Sequence, residues 1–343
     1  MKEFCEKFVL SVSDRFTSAK IASTDNLIFN CTAFELIDRS KIEGDISCAL
    51  SAETFKLKKM AKIKNNLPAF VKKNFVIVIA ALSLLIANSS PLISHEMWLD
   101  TSTYQQKIDA EIKLSLVNGQ MFDGFELSYF KSRFSEFYYI NNNKKVDIES
   151  RMGDTPAATL SFSNNGLVTG IYVSEKSTIN YETLDKFSEF AVEKGEEWAI
   201  KKHSDLKFPK MNFKEDYYRF SKILIGVGNS QGSDIQAGIK HEIVALTNPY
   251  NRDSKDEFYV KLIFNDKPQK NRQITIFERD FEKNVTTQVT FTDDDGIAKF
   301  KVTEGNEYLI DNVIIEVNED PKNDAVWSSY WAALTFRALD ANQ

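Results

Sequence analysis

The chain has 343 residues, 43% of them hydrophobic and 27% charged, with a formal net charge of −6. That composition is ordinary globular material with room for two domains, and its acidic balance excludes nucleic acid as a partner, because phosphate binding needs clustered Lys and Arg.

Residues 1–59 hold nine basic and nine acidic side chains and all three cysteines (Cys5, Cys31, Cys48). No periodic pattern there buries a core, so the segment reads as a disordered leader or an upstream extension from a misplaced start. Residues 60–94 read as a signal peptide. Lys62, Lys64, Lys72 and Lys73 precede an apolar run, Phe75 to Ala87, broken only by Ser83. The run is shorter than the roughly 20 apolar residues of a membrane-spanning helix and suits the h-region of an export signal, with Met60 as its start. Cleavage after Ser89 satisfies the small-residue rule best. Cleavage after Ser94 leaves His95 as the new N-terminus.

From His95 onward there are 30 basic and 40 acidic residues, a net charge of −10, and no cysteine. An exported chain of this kind is held together by burial rather than disulfides. Alternation from Gln106 to Leu116 predicts a half-buried strand, and short aromatic-rich runs at Phe134 to Ile140, Ala158 to Phe162 and Leu167 to Val173 predict more. Asn141-Asn142-Asn143 and Asn164-Asn165-Gly166 supply turns between them. A first β domain over 95–180 follows.

The period then changes. Leu184, Phe187, Ala191 and Trp198 recur at helical spacing, with Asn180 as a candidate N-cap and Gly195 as an interruption. Asn212 with Glu215 resembles a capping box ahead of Phe213, Tyr217, Phe220 and Leu224, which predicts a second helix stopped by Gly226 and Gly228. Residues 181–239 are thus a helical insert and linker packed on a sheet. Strands return at Glu257 to Phe264, Gln273 to Phe277, Thr287 to Thr292, Ile297 to Val302, Leu309 to Val317 and Trp331 to Phe336. Their spacing predicts a C-terminal β-sandwich over 240–338. The fold class is mainly β with a helical insert, in two β-sandwich-like domains.

His95 at a free N-terminus is the sharpest chemical feature. Its amine and imidazole form a two-nitrogen chelate suited to Ni²⁺, Co²⁺ or Cu²⁺; Glu96 and Asp123 offer oxygens, and His203 or His241 a third nitrogen. With cleavage after Ser89, His95 is instead a surface residue opening a strand. His203 ends a helix, where a cation favours the carbonyl end of the dipole, and His241 opens a strand. Asp293-Asp294-Asp295-Gly296 lacks the alternate acidic spacing of a calcium loop and reads as a hairpin turn. No Gly-x-Ser-x-Gly, no cysteine nucleophile after Met60 and no spaced acid/base pair is present, so an enzyme is not expected.

Several stretches together resemble the DUF4198 family: His95 to Leu99 (HEMWL), Gly119 to Phe130 (GQMFDGFELSYF), Arg151 to Ala157 (RMGDTPA), Tyr217 to Gly228 (YYRFSKILIGVG), Thr247 to Tyr250 and Ala325 to Phe336. The family is associated with a periplasmic component of cobalt and nickel uptake. The resemblance implies cleavage just before a His-Glu-aromatic start and an immunoglobulin-like or transthyretin-like C-terminal sandwich. In the family the position of His241 is usually apolar or small, so a role for His241 would be private to this chain. The expectation is a periplasmic protein binding Ni²⁺ or Co²⁺ for an inner-membrane uptake transporter, itself not membrane-spanning. The alternative is a non-catalytic module that engages an envelope protein or a glycan.

Overall fold

Ile112, Leu114 and Leu116 are buried while Glu111 and Lys113 are exposed, as alternation along a half-buried strand requires. The strand begins only at Glu111, because Asp109 turns the chain with a φ of 62°. The computed structural model describes residues 96–251, 257–320 and 322–338. The leader, the signal segment and His95 lie outside the described residues.

The first part of the chain contributes β1 (Glu96–Asp100), β2 (Gln105–Gln106), β3 (Glu111–Gln120), β4 (Asp123–Leu127), β5 (Phe134–Asn141), β6 (Lys144–Asp147), β7 (Ala158–Ser161), β8 (Gly166–Ser174) and β9 (Ser177–Thr183). Two short helices follow, α1 (Leu184–Glu193) and α2 (Trp198–Asp205), then the 17-residue strand β10 (Met211–Val227). The remainder gives β11 (His241–Ala245), β12 (Phe258–Phe264), β13 (Lys267–Pro268), β14 (Gln273–Arg279), β15 (Val285–Phe291), β16 (Ile297–Phe300), β17 (Glu307–Val317) and β18 (Ala325–Arg337).

Ten strands form one sheet in the order β15-β14-β17-β18-β10-β8-β5-β6, with β2 and β9 also on β10. Smaller sheets, β1-β3-β4 with β7 and β11-β12-β13 with β16, complete a sandwich-like layout. A long core runs through Leu99, Leu114, Val168, Leu224, Phe258, Ile276 and Leu334. The large sheet takes strands from both expected β regions, because β10 pairs antiparallel with β8 and parallel with β18.

The helix expected from Asn212 is instead β10. Phe213, Tyr217, Phe220 and Leu224 fall at helical spacing, yet every residue from Phe220 to Val227 is buried. A strand flanked on both sides reads as a continuous apolar run, without the alternation of a half-exposed one. Asn212 sits at φ 54°, outside the geometry of a helix cap. Asn180 likewise lies in β9, and Thr183 precedes α1.

β10 also carries a buried lysine. Lys222 Nζ donates to Asp234 Oδ2 at 2.9 Å, Glu242 Oε1 at 3.0 Å and Ile235 O at 3.0 Å. The carboxylates are otherwise satisfied by Thr169 Oγ1, by the Ile235 and Ala245 amides on Asp234, and by the Ala237 and Gly238 amides on Glu242. This closed network pins the segment after β10 to the sheet.

Candidate functional site

β1 lies over the middle of the large sheet, fastened by two hydroxyls: Ser221 Oγ donates to Met97 O at 2.7 Å and Thr335 Oγ1 to Leu99 O at 2.6 Å. The EMWL sequence suits this position, with Glu96, Met97, Trp98 and Leu99 all buried. Glu96 is the cost of that burial, since an ion taken out of water needs a partner.

Its partner comes from the end of α1. Phe187, Phe190 and Ala191 pack the helix on Trp327, Trp331, Val313 and Ile315, and Gly195, at φ 72°, turns the chain away immediately afterwards. A Cβ there would meet the Gln273 side chain at 2.9 Å, so the turn needs glycine. Lys194 is thereby aimed inward. Its Nζ lies 2.6 Å from Glu96 Oε1, 3.1 Å from Asp311 Oδ2 and 3.4 Å from Glu193 Oε1, and over the Trp331 ring at 5.0 Å.

Three carboxylates surround this one ammonium. Burial works against the charge on Lys194, but Asp311, Glu96 and Glu193 outweigh it and hold the ammonium above the ordinary lysine range. Burial pushes the Asp311 carboxyl up to about 6, against the pull of Lys194. Half-buried Arg219 is also within electrostatic reach of Glu96. The second oxygen of Glu96, Oε2, is buried and has no hydrogen-bond partner.

Glu96 lines a cleft of about 290 Å³. Glu193, Gln120 and Gln273 add polar groups to its lining, while Thr275, Phe277, Thr287 and Val289 of β14 and β15 form a wall and Met121 a rim. No basic side chain is among the lining residues. The Met121 rim is strained: Met121 and Phe122 occupy φ 52° and 63°, a region that bulky residues avoid. At the β5–β6 turn the same geometry is taken by Asn142 and Asn143, residues that tolerate it. Phe122 is held there by Trp98, with ring centroids 5.6 Å apart, by Arg279 at 3.9 Å over its ring, and by Arg279 Nη1 donating to its carbonyl at 2.9 Å.

The sequence-predicted metal residues do not gather at this cleft. Glu96 is in it, and His95, one peptide bond away, is outside the described residues. Asp123 opens β4 and is exposed. His203 is a core histidine under the helices: Trp327 Nε1 donates to its Nδ1 at 3.0 Å, so its Nε2 carries the proton and donates to Pro209 O at 3.0 Å. Burial lowers its pKa. With both nitrogens engaged it is neither a ligand nor the helix-end cation expected. His241 donates Nδ1–H to Tyr330 O at 2.9 Å, and its Nε2 is without a partner between Phe220 and Phe264. Burial pushes it down to about 3. Among the described residues no group of three or more His, Cys, Asp or Glu side chains is placed to hold a metal ion.

A further buried carboxylate, Glu215 on β10, accepts from Tyr181 OH at 3.0 Å and from Ser329 Oγ, with Trp331 Nε1 donating to Ser329 Oγ at 3.0 Å. Burial pushes it up to about 7 despite these donors.

The DUF4198 profile, described as a domain of unknown function, matches residues 93–315. The chain belongs to the DUF4198 family. The DUF4198 match takes in Glu96, Lys194 and Asp311 and closes inside β17, leaving β18 beyond it. No curated protein matches the chain. Among solved structures, a two-fibronectin-type-III segment of chicken tenascin is similar over 69% of this chain and 98% of its own, at 14% identity and a TM-score of 0.18. The D0-D1 domain of intimin is similar over 70% and 97%, at 12% identity and the same TM-score. At that score neither likeness bears on the strand arrangement.

Lys194 and Asp311 were not singled out by sequence reasoning, although each left a trace. Lys194 falls on the apolar stripe of Leu184, Phe187 and Ala191, and Asp311 interrupts the buried run of β17. A charge on an apolar face is a signal of a buried ion pair.

Proposed function

We propose that the protein is an exported, non-catalytic binding protein that takes a divalent transition-metal ion, Ni²⁺ or Co²⁺, at its mature N-terminus and delivers it to an uptake system of the inner membrane. The observation that carries this reading is the unpartnered, buried Oε2 of Glu96, a residue that lines an acidic cleft and directly follows His95. Cleavage after Ser94 would place an amine, an imidazole and this carboxylate oxygen within one dipeptide, a nitrogen-rich set suited to these borderline metals. The excess of carboxylate over ammonium around Lys194 favours a cation in the cleft. Neither His203 nor His241 takes part, and Asp123 is not a ligand in this reading. Among the described residues no helix is long and apolar enough to cross a membrane.

Calorimetric titration of the natively processed chain with Ni²⁺ and Co²⁺ tests the proposal. Binding should weaken about tenfold or more when His95 is replaced by Ala or when Ser94 is retained ahead of it. Equal affinity in all three proteins sinks it. A second reading, an envelope-interaction or glycan-binding module, draws on the apolar wall of the cleft, Phe277 and Val289.

A further inference from the structure

The two ends of the large sheet are finished differently. β6 reads KKVD, three charges in four residues, which guards an edge against pairing with another chain. β15 reads VTTQVTF, with no charge, no proline and no glycine.

Hydrogen bonds at its two ends fix which groups point outward. Asp280 N–H donates to Asn284 O and Thr292 N–H to Arg272 O, each at 3.0 Å, and Gln288 stands opposite Ile276. Antiparallel ladders alternate, so the even-numbered residues of β15 bond to β14, whereas Val285, Thr287, Val289 and Phe291 turn N–H and C=O outward. Among the described residues, no backbone hydrogen bond joins those outward groups to another segment. Val289 and Phe291 are 47% and 60% exposed.

We propose that β15 is a dimer interface, pairing antiparallel with β15 of a second copy of this chain about a two-fold axis at Gln288. In that register Val285 faces Phe291 of the second copy and Thr287 faces Val289, and each opposed pair exchanges two backbone hydrogen bonds. The strand is close to self-complementary: a threonine or apolar residue meets another at every position except the central Gln288, which meets itself. No like charges oppose each other along it. Beyond the strand, Glu282, Lys283, Asp293 and Asp294 lie in turns outside the ladder, and Lys283 Nζ pairs with Glu307 of its own chain. The axis stands normal to the sheet, so both clefts open on the same face, each with its own Thr287 and Val289 beside the joint. A charged peptide finds no complement on this edge; a second copy does.

Sedimentation of the full native chain across a concentration series tests the interface. The wild type should sediment as a dimer. Gln288→Lys and Gln288→Glu each put two like charges across the axis and should weaken association about a hundredfold or more, and an equimolar mixture of the two should restore it. Thr287→Pro removes one outward N–H from each copy without touching the ladder to β14; it should weaken the dimer while leaving the circular dichroism of the monomer unchanged. A wild type that stays monomeric overturns the proposal, as does a Gln288→Lys protein that dimerises like wild type or a mixture that fails to re-associate. Slow hydrogen exchange at Thr287 and Val289 in a monomer would assign the edge to another segment of the same chain, and would overturn it too.

Discussion

Two buried clusters in this protein have the same ingredients, one lysine between two buried carboxylates, and opposite finish. Around Lys222, every oxygen of Asp234 and Glu242 is taken by the ammonium, a hydroxyl or a backbone amide. Around Lys194, Glu96 keeps one oxygen unpartnered and a cleft begins beside it. The difference lies in what surrounds the acids. A loop wraps the first pair and supplies amides, whereas β-sheet side chains and a hairpin rim border the second. A fully satisfied network rigidifies a fold, whereas a buried oxygen left without a donor calls for an explanation, of which a bound ion is one.

The contrast can be broken most forcefully at Lys222. Lys222→Met leaves two buried carboxylates without their cation and should cost about 3–5 kcal/mol in denaturant unfolding. Glu215 supplies the next largest effect. Its folded pKa is raised to about 7, so the folded state keeps a proton that the unfolded chain releases near the ordinary glutamate value. Stability contributed by this group is therefore present at low pH and is lost as pH rises from about 4.5 through about 7, by a few kcal/mol. Glu215→Gln should flatten that slope in thermal melts taken from pH 4.5 to pH 8, and an unchanged slope would assign it elsewhere.

Lys194→Met should cost less than Lys222→Met, about 3 kcal/mol at pH 7.5, and less again at pH 5, where Asp311, already raised to about 6, takes a proton. A loss at pH 5 as large as that of Lys222→Met would erase the distinction between the clusters. Glu96→Gln sharpens it. Stability should change by under about 1 kcal/mol, while Ni²⁺ affinity of the processed protein, read by calorimetry, falls about tenfold. At the small end, Asp123→Asn on exposed β4 should leave both the melting midpoint and Ni²⁺ affinity unchanged, within about 0.5 kcal/mol.

Much of the fold was legible because short strands leave strong local marks. The runs at Phe134, Ala158, Leu167, Gln273 and Leu309 are strands, and the helical period at Leu184 is α1 followed by α2, broken at Gly195. β10 was misread for a physical reason: a strand buried on both faces loses its alternation, and aromatic residues at three- and four-residue intervals then imitate a helix. What pairs with what was invisible, since nothing in Ala325 to Phe336 announces that this last strand lies beside β10.

The site was legible only at one corner. Glu96 was singled out through its neighbour His95, but the buried Lys194 that it pairs with lies 98 residues away in sequence and Asp311, on the same ammonium, more than 200, a separation that no local pattern encodes. His203 and His241 were candidates by residue type alone. Their burial among Phe187, Phe213 and Trp327, or Phe220 and Phe264, is a tertiary fact.

The position of β18 has a consequence for how the molecule comes to exist. β18 is inserted between β17 and β10, running parallel to a partner more than a hundred residues earlier, so the centre of the sheet stays open until residue 337 has been made. Non-local parallel pairing is slow, because loop closure precedes the contacts that reward it. A chain threaded N-terminus first through any pore would emerge with β10 and β17 still exposing bare edges, and would close only once Arg337 had cleared the exit. Shortened at residue 315, where the family match ends, it would hold most of its strands and lack the one that joins its halves.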